Sequence, residues 1–539
     1  MYLRTTRRKN KDGSTVTYYQ LAQNYWDSDA GCAKARILYN FGRADELEAQ
    51  ALERLCASIA RVTGQELVQT GSATPLQDVE LGRARGAGTA HVALTLWDRL
   101  GIRKALHKAL GSEAEAHERA LFAMVLNRMV DPCSKLGLYD RWLETVWFPG
   151  CDALASLDRL YRAMDAFDKV AEQVEEEVFF TMANLLNLEV DVILYDTTTV
   201  SFHIDEEDDH RRFGHAKAGD HGPQIVVALA VTREGYPVRS WVFEGNTADV
   251  STITAIRKDL RGWKLGRTLF VGDAGMGSDD NRSILAQGAG RYVLASRLDA
   301  KEISQEVLGR AGRYSEVAPN LHVKEVVVGD GVQQRRYVLC YNPEEEERQV
   351  QHRERVVQEL AEKLASHESR SVKAKWAAVL RASGRYGRYL SVNKQGELFV
   401  DEAKIAAARR LDGKWVLITN DDTLSTAEVA KTYKGLLVIE RCFRTLKTSR
   451  LRVKPVYHRK IERIRTHVKL CVLALLLERV AEEKTGRTGA QLVHALEGVQ
   501  MIPVTTPEGS FYKRTALGPG VEEIFRALGM ESPPLVAIP

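Results

Sequence analysis

Cysteine is scarce and scattered. Seven occur in 539 residues, at positions 32, 56, 133, 151, 340, 442 and 471, with no CxxC pair. That excludes a recognisable zinc module and argues against a disulfide framework. Long apolar runs are also missing. The longest, near Leu470–Leu477, falls far short of the roughly 18 residues of a spanning helix. The opening residues MYLRTTRRK lead into no apolar stretch, so no secretory signal is read. Neither sign of charge dominates: 76 Lys+Arg against 72 Asp+Glu leaves +4, and net charge names no partner. A hydrophobic content of 44% with 27% charged residues excludes a wholly disordered chain. The expectation is a soluble cytoplasmic protein of a reducing compartment, with no membrane partner. At roughly 150 residues per domain it holds three or four domains.

Charge is present as local excess. Residues 431–470 carry thirteen Lys/Arg and only two acids, Glu440 and Glu462, a local +11 against +4 for the chain. Such a patch is the footprint of a polyanion-binding face. It makes Arg444, Arg450, Arg452 and Lys454 candidate DNA contacts. The first eleven residues add five basic side chains and no acid, and an Asp12-Gly13 turn signals a hairpin.

Along the chain, residues 1–62 read as a basic β-ribbon followed by a helix, and 63–90 as a Gly-containing linker. Residues 91–187 read as a helical domain and a candidate for DNA binding. From 188 the periodicity changes to strands. Residues 188–299 give the order β-β-β-α-β-α-β: hairpins first, then crossovers through helices, a mixed sheet with helices on its faces. Residues 300–412 read as an inserted α+β subdomain. Residues 413–484 return to the core with a strand, a Ser425-x-x-Glu428 helix start and a long helix. Residues 485–539 form a tail. The fold class expected is multidomain α/β.

Three acids stand out by position. Asp196 sits inside the first core strand (Tyr195-Asp-Thr-Thr-Thr199). Asp273 directly follows the fourth (Val271-Gly-Asp-Ala-Gly275). Glu440 lies on the helix after the insertion, alone among cations. Singly, each has an ordinary explanation as a turn cap, a loop acid or a surface charge. Jointly, acids at the ends of apolar elements are costly unless paired or metal-bound. If the first and fourth strands are neighbours, Asp196 and Asp273 share a cation and a packed helix adds Glu440. Oxygen ligands suit Mg²⁺ or Mn²⁺, and two such ions serve an in-line phosphodiester displacement. Lys447, seven residues after Glu440, lies on the same helix face.

These motifs, with Gly245-Asn-Thr247 and Tyr433…Ile439-Glu-x-x-Phe443-x-x-Leu446-Lys447, resemble the DDE transposases of bacterial insertion sequences. The resemblance is to the IS4-type group and, more closely, its IS1634-like branch. It covers about residues 190–480 and implies an RNase H-like core, preceded by the basic ribbon and helical domain and interrupted by the insertion. It further implies a catalytic metal triad of Asp196, Asp273 and Glu440, with two Mg²⁺ or Mn²⁺ ions. The implied partners are the terminal inverted repeats and target DNA, with a homodimer in the synaptic complex and a place at the bacterial nucleoid. Tyr433 and Lys447 match a family pattern that handles the terminal phosphate, whereas Leu436 stands where that pattern has arginine. Lys217, in Gly214-His-Ala-Lys217, falls near the first Asp as a further phosphate contact. The function implied is cleavage at the element's ends and joining of 3′-hydroxyls to target DNA. A catalytically inactive DNA-binding derivative and an RNase H-like nuclease without strand transfer are the alternatives.

Overall fold

The computed structural model describes residues 2–9, 15–27, 32–47, 49–63, 79–154, 156–215, 222–265, 268–298, 300, 303–330, 334–365 and 370–538. It divides into two units, Met1–Val79 and Glu80–Pro539. In the first, β1 (Tyr2–Lys9), β2 (Thr15–Asp27) and β3 (Cys32–Arg43) form an antiparallel ribbon, followed by helix α1 (Ala49–Thr63). The register runs from Tyr2 opposite Ala22 to Lys9 opposite Thr15. The Asp12-Gly13 turn lies outside the described residues. Arg7, Arg8 and Lys9 are exposed on the outer strand, an arrangement that discourages edge-to-edge pairing.

The second unit begins with two short strands, β4 (Glu80–Leu81) and β5 (Arg85–Gly86). A helical block follows: α2 (Gly88–Arg99), α3 (Ile102–Leu110), α4 (Ala114–Val130), the short α5 (Lys135–Gly137) and α6 (Leu157–Leu185). Helix α4 is buried around nearly its whole circumference from Ala120 to Met129, which explains why it lacks a polar stripe. Ser156 caps α6, its hydroxyl accepting from Arg159 N–H, the usual answer to the orphan donors of a helix start.

The core strands follow. They are β6 (Val192–Ser201), β7 (Gln224–Thr232), β8 (Pro237–Glu244), then α7 (Asp249–Gly262), β9 (Leu269–Gly272), α8 (Asp279–Ala286) and β10 (Arg291–Ser296). Strands β6 and β7 are rich in β-branched residues and buried on both faces. This accounts for their near-continuous apolar sequence. Next come β11 (Ser315–Ala318), β12 (Leu321–Val328) and β13 (Arg335–Tyr341). Then α9 (Pro343–Ala365), α10 (Arg370–Ala382), the hairpin β14 (Leu390–Val392) and β15 (Leu398–Val400), α11 (Glu402–Arg409) and β16 (Lys414–Thr419). The nine-stranded sheet has the order β11-β12-β13-β16-β10-β9-β6-β7-β8. Strands β6, β9 and β10 run parallel while β7, β8 and β16 are antiparallel to their neighbours. This is an RNase H-like mixed sheet.

The sequence places β11–β13 in the inserted subdomain; here they extend the main sheet through β13 and β16. Only the segment between them leaves the sheet. It carries its own small core around Val356, Leu360, Leu380, Tyr389 and Leu390. It departs and returns at one point, where Asn342 N–H donates to Gly413 C=O at 2.8 Å.

After β16, Ser425 and Glu428 form a capping box that starts α12 (Thr426–Lys434). Then come α13 (Leu436–Arg444), α14 (Ile461–Thr485), α15 (Gly489–Leu496), β17 (Gln500–Thr506), β18 (Gly509–Arg514), α16 (Pro519–Ala527) and β19 (Val536–Ala537). Helix α14 is buried from Thr466 to Glu478 and packs on α4, α6 and β8. No helix among the described residues is long and apolar enough to cross a membrane.

Candidate active site

Strand register sets the first two acids. Strands β6 and β9 are parallel neighbours with Leu194 opposite Val271. Two residues further on, the same register brings Asp196 beside Asp273, on one face of the pleat. Asp196 is half-buried, and its Oδ1 accepts the Thr197 N–H at 2.7 Å. Asp273 is exposed at the strand end, where it caps a 3-10 turn and accepts the Ala274 N–H at 2.7 Å.

The third acid arrives on α13, which packs over β6. Its apolar face, Leu436, Ile439, Cys442 and Phe443, is buried, while Glu440 is exposed. Gly435 separates α12 from α13 and lies against β6. A Cβ there would stand 2.8 Å from Thr432 C=O and 3.5 Å from the Leu194 side chain.

The outcome is a pocket of about 290 Å³ whose lining includes Asp196, Asp273, Glu440, Tyr433, Lys434 and Leu436. Tyr433 donates its hydroxyl to Asp273 Oδ1 at 3.3 Å. Its phenol is pushed well above the ordinary value, first by burial, then by Asp273, and further by Glu440 and Asp196. One phenol thus feels all three carboxylates, a measure of how closely their negative charge converges. Among the described residues, no three His, Cys, Asp or Glu side chains stand close enough to enclose a metal ion as placed. The donor set still suits a hard divalent cation: three carboxylates with a tyrosine hydroxyl beside them, all oxygen.

The expected DNA contacts divide. Lys447, in the π turn Thr445–Ser449 after α13, donates to Thr198 Oγ1 at 3.0 Å. Thr198 is two residues from Asp196 and on the same strand face, so Lys447 belongs to the acidic pocket's flank. Lys454 donates to Ser201 Oγ further along β6. Arg444 and Arg452 are exposed. Arg450 does not fit its expected role. Its guanidinium turns inward, donating to Met129 C=O at 2.7 Å and lying 3.5 Å from Glu478 Oε2. Lys217 lies outside the described residues. Leu436, at the pattern's arginine position, is buried in the pocket wall.

The basic segment as a whole is also partly spoken for. Arg463 forks onto Asp165 and Arg465 onto Asp168, while Lys469 meets Glu175 at 2.5 Å. All three acids lie on α6, nearly 300 residues earlier. The +11 excess is therefore smaller at the surface than in the sequence window. Sequence reasoning missed Thr198 and Trp415, which touch or line the site. Thr198 follows Asp196 by two, a strand-face signal that was available; nothing in KWVLIT marks Trp415.

The pocket and its three acids sit on an RNase H-like core. The family model "Transposase DDE domain" matches residues 189–477, over half of the chain, and the protein belongs to the DDE transposases, DNA-acting enzymes that depend generally on divalent metal. Residues 3–72 match "IS1634 family transposase, N-terminal domain", which places it in the IS1634-like branch. No curated protein matches the chain. Among solved structures it resembles a piggyBac transposase synaptic complex with hairpin DNA, at 11% identity over 77% of this chain and 82% of that one, TM-score 0.35. A Mos1 transposase paired-end complex with left transposon end follows at 13% identity over 46% and 66%, TM-score 0.13.

Proposed function

We propose that this chain binds the ends of its own insertion sequence, cuts them, and joins the freed 3′-hydroxyls to target DNA. Asp196, Asp273 and Glu440 form the acidic site and would hold Mg²⁺ or Mn²⁺, two ions in all. When bound, such ions activate a water or 3′-hydroxyl and stabilise the leaving oxygen of an in-line displacement. The chain's own groups supply position. Tyr433 orients the Asp273 carboxylate through its hydroxyl. Thr198 holds Lys447 extended along β6, where its ammonium can leave the hydroxyl for a phosphate oxygen. Lys434 lines the same pocket and offers a cation where Leu436 offers none. Arg444, Arg452 and Lys454 carry the DNA backbone past this flank, and two copies of the chain bring two ends together.

The observation that carries the reading is the arrival of acids from β6, from the end of β9 and from α13 in one pocket. Incubation with element-end DNA and Mg²⁺ or Mn²⁺, followed by mapping of the cut strands, tests it. Cuts at the element boundary that yield 3′-hydroxyls support it; binding without cutting in either metal overturns it.

A further inference from the structure

Outside the acidic pocket, a cavity of about 390 Å³ opens between the helical block and the segment before α14. Its walls include Ser134, Lys135, Tyr161, Tyr457, His458 and His467. Lys135 is 4% exposed, and among the described residues its ammonium meets no carboxylate and makes no hydrogen bond. Burial and the neighbouring Arg128 push it down to about 7. Arg128, 3% exposed, is held by Cys133 C=O and Arg452 C=O, again without an acid. His467 Nε2 donates to Val453 C=O at 2.9 Å, while its Nδ1 is buried without a partner. Burial and the nearby cations, Lys135 first and at His458 also Arg463, keep His467 and His458 neutral, His458 near 3. The acid that acts on His458, Asp165, is gripped by Arg463.

A buried ammonium with no counter-ion costs several kcal/mol or gives up its proton, and an anion seated beside it would remove that cost. Lys135 in the wall, with Arg128 acting on it from nearby, favours an anion over a metal ion, and the cavity's size falls at the lower end of the roughly 300–1,000 Å³ of small-molecule sites. The approach is marked: Lys447 lies on Thr198 and Lys454 on Ser201, and the chain then runs into the wall at Pro455 and Tyr457. Tyr457, 68% exposed, stands at the mouth with a ring free to stack on a base.

We infer that this cavity is a phosphate socket, in which Lys135 receives one phosphate group of a nucleotide and Tyr457 receives its base. The choice of a nucleotide as ligand rests on the DNA-transposase reading; the unpaired buried cation does not. The phosphate can come from a 5′-phosphorylated DNA end or from a free nucleotide.

Thermal melting of the full chain tests the socket, with inorganic phosphate, thymidine monophosphate, and one oligonucleotide with and without a 5′-phosphate. Stabilisation by ligand follows RT ln(1 + [L]/Kd). Phosphate and thymidine monophosphate should raise the wild-type melting temperature. Lys135→Met should lose roughly 10- to 100-fold in affinity, as for a charge-assisted hydrogen bond, and melt no lower than wild type without ligand. Lys104→Met, an exposed substitution, should respond as wild type. A larger shift with the phosphorylated oligonucleotide assigns the ligand to a DNA end; equal oligonucleotide shifts assign it to a free nucleotide. Equal phosphate responses in Lys135→Met and wild type, or none in wild type, overturn the socket. Should Lys135→Met fail to fold, acetylation of wild-type Lys135 near pH 7, read by peptide mass, replaces it: phosphate should protect that lysine, and unchanged labelling overturns the proposal. Asp196→Asn must bind phosphate as wild type does. Loss of the socket and loss of the cutting reaction are thereby separable.

Discussion

The basic segment 431–470 behaves as two different materials. Its first part, through the π turn to Lys454, sets Lys447 and Lys454 on Thr198 and Ser201 of β6, near the three acids, and turns Arg450 inward. Its second part, the start of α14, spends its cations on α6: Arg463 on Asp165, Arg465 on Asp168, Lys469 on Glu175. Equal charge density in sequence gives cations beside the acids in one half and an internal fastening in the other. What separates them is a partner nearly 300 residues away. A charge run is informative about ligands only after the folded chain has taken its share.

The sharpest contrast is in the acids. Asp196→Asn, Asp273→Asn or Glu440→Gln should each lower end cleavage on the order of 10³-fold or more, about 4 kcal/mol of barrier, while filter binding of end DNA persists. Cleavage surviving in one variant removes that residue from the metal site.

Next in size is the fastening. Lys469 and Glu175 are buried, and Ser240 donates to the same carboxylate at 2.6 Å. Lys469→Met should cost about 3–5 kcal/mol, as an uncompensated buried charge does. Arg463→Ala, at a more exposed pair, should cost at most about 1 kcal/mol. Equal losses in urea melts would erase the distinction between buried and surface fasteners.

In the half beside the acids, Lys447→Ala should weaken end affinity and slow cutting by roughly 1–3 kcal/mol with no change in melting temperature. A fall in stability without a change in cutting would make the Thr198 contact purely structural.

A pH test addresses the inward-turned Arg450. Burial raises its neighbour Glu478 to about 7. A carboxyl raised above its unfolded value binds more protons in the folded state, so its contribution is full below about pH 4.5 and is lost as pH rises through 7. Glu478→Gln should therefore gain on wild type by roughly 2–3 kcal/mol between pH 5 and 8. A constant difference across that range would deny the shift.

The smallest effect is on salt dependence. Arg452→Glu should flatten the log–log slope of DNA affinity by about 0.9, one phosphate's worth, and Arg463→Glu should leave it alone. Matching slopes would merge the two halves of the segment again.

Much of the core was legible because its signals are local. Strand runs of β-branched residues, the Ser425–Glu428 box and the position of each acid at an element end follow from short stretches of chain. The neighbouring of β6 and β9, posed in the sequence as a condition, is met in the sheet. The misplacement of β11–β13 has a physical cause. Their hairpins look alike whether they pair with one another or with β16, and only sheet membership across some 75 residues tells these apart. Arg450 failed for the same reason, since Met129 C=O and Glu478 are invisible from its neighbours. Lys135 gave no signal at all: a lysine in SKLGLYDRW reads as surface until the helices close over it.

The junction between Asn342 and Gly413 has an evolutionary reading. Everything from α9 to α11 is hung on two adjacent strands whose ends are already hydrogen-bonded, so its length sets no distance that the acids must respect. Lengthening such a loop costs only a few tenths of a kcal/mol, and neither β6, β9 nor α13 needs to move. This stretch can lengthen or shorten while the three acids stay put.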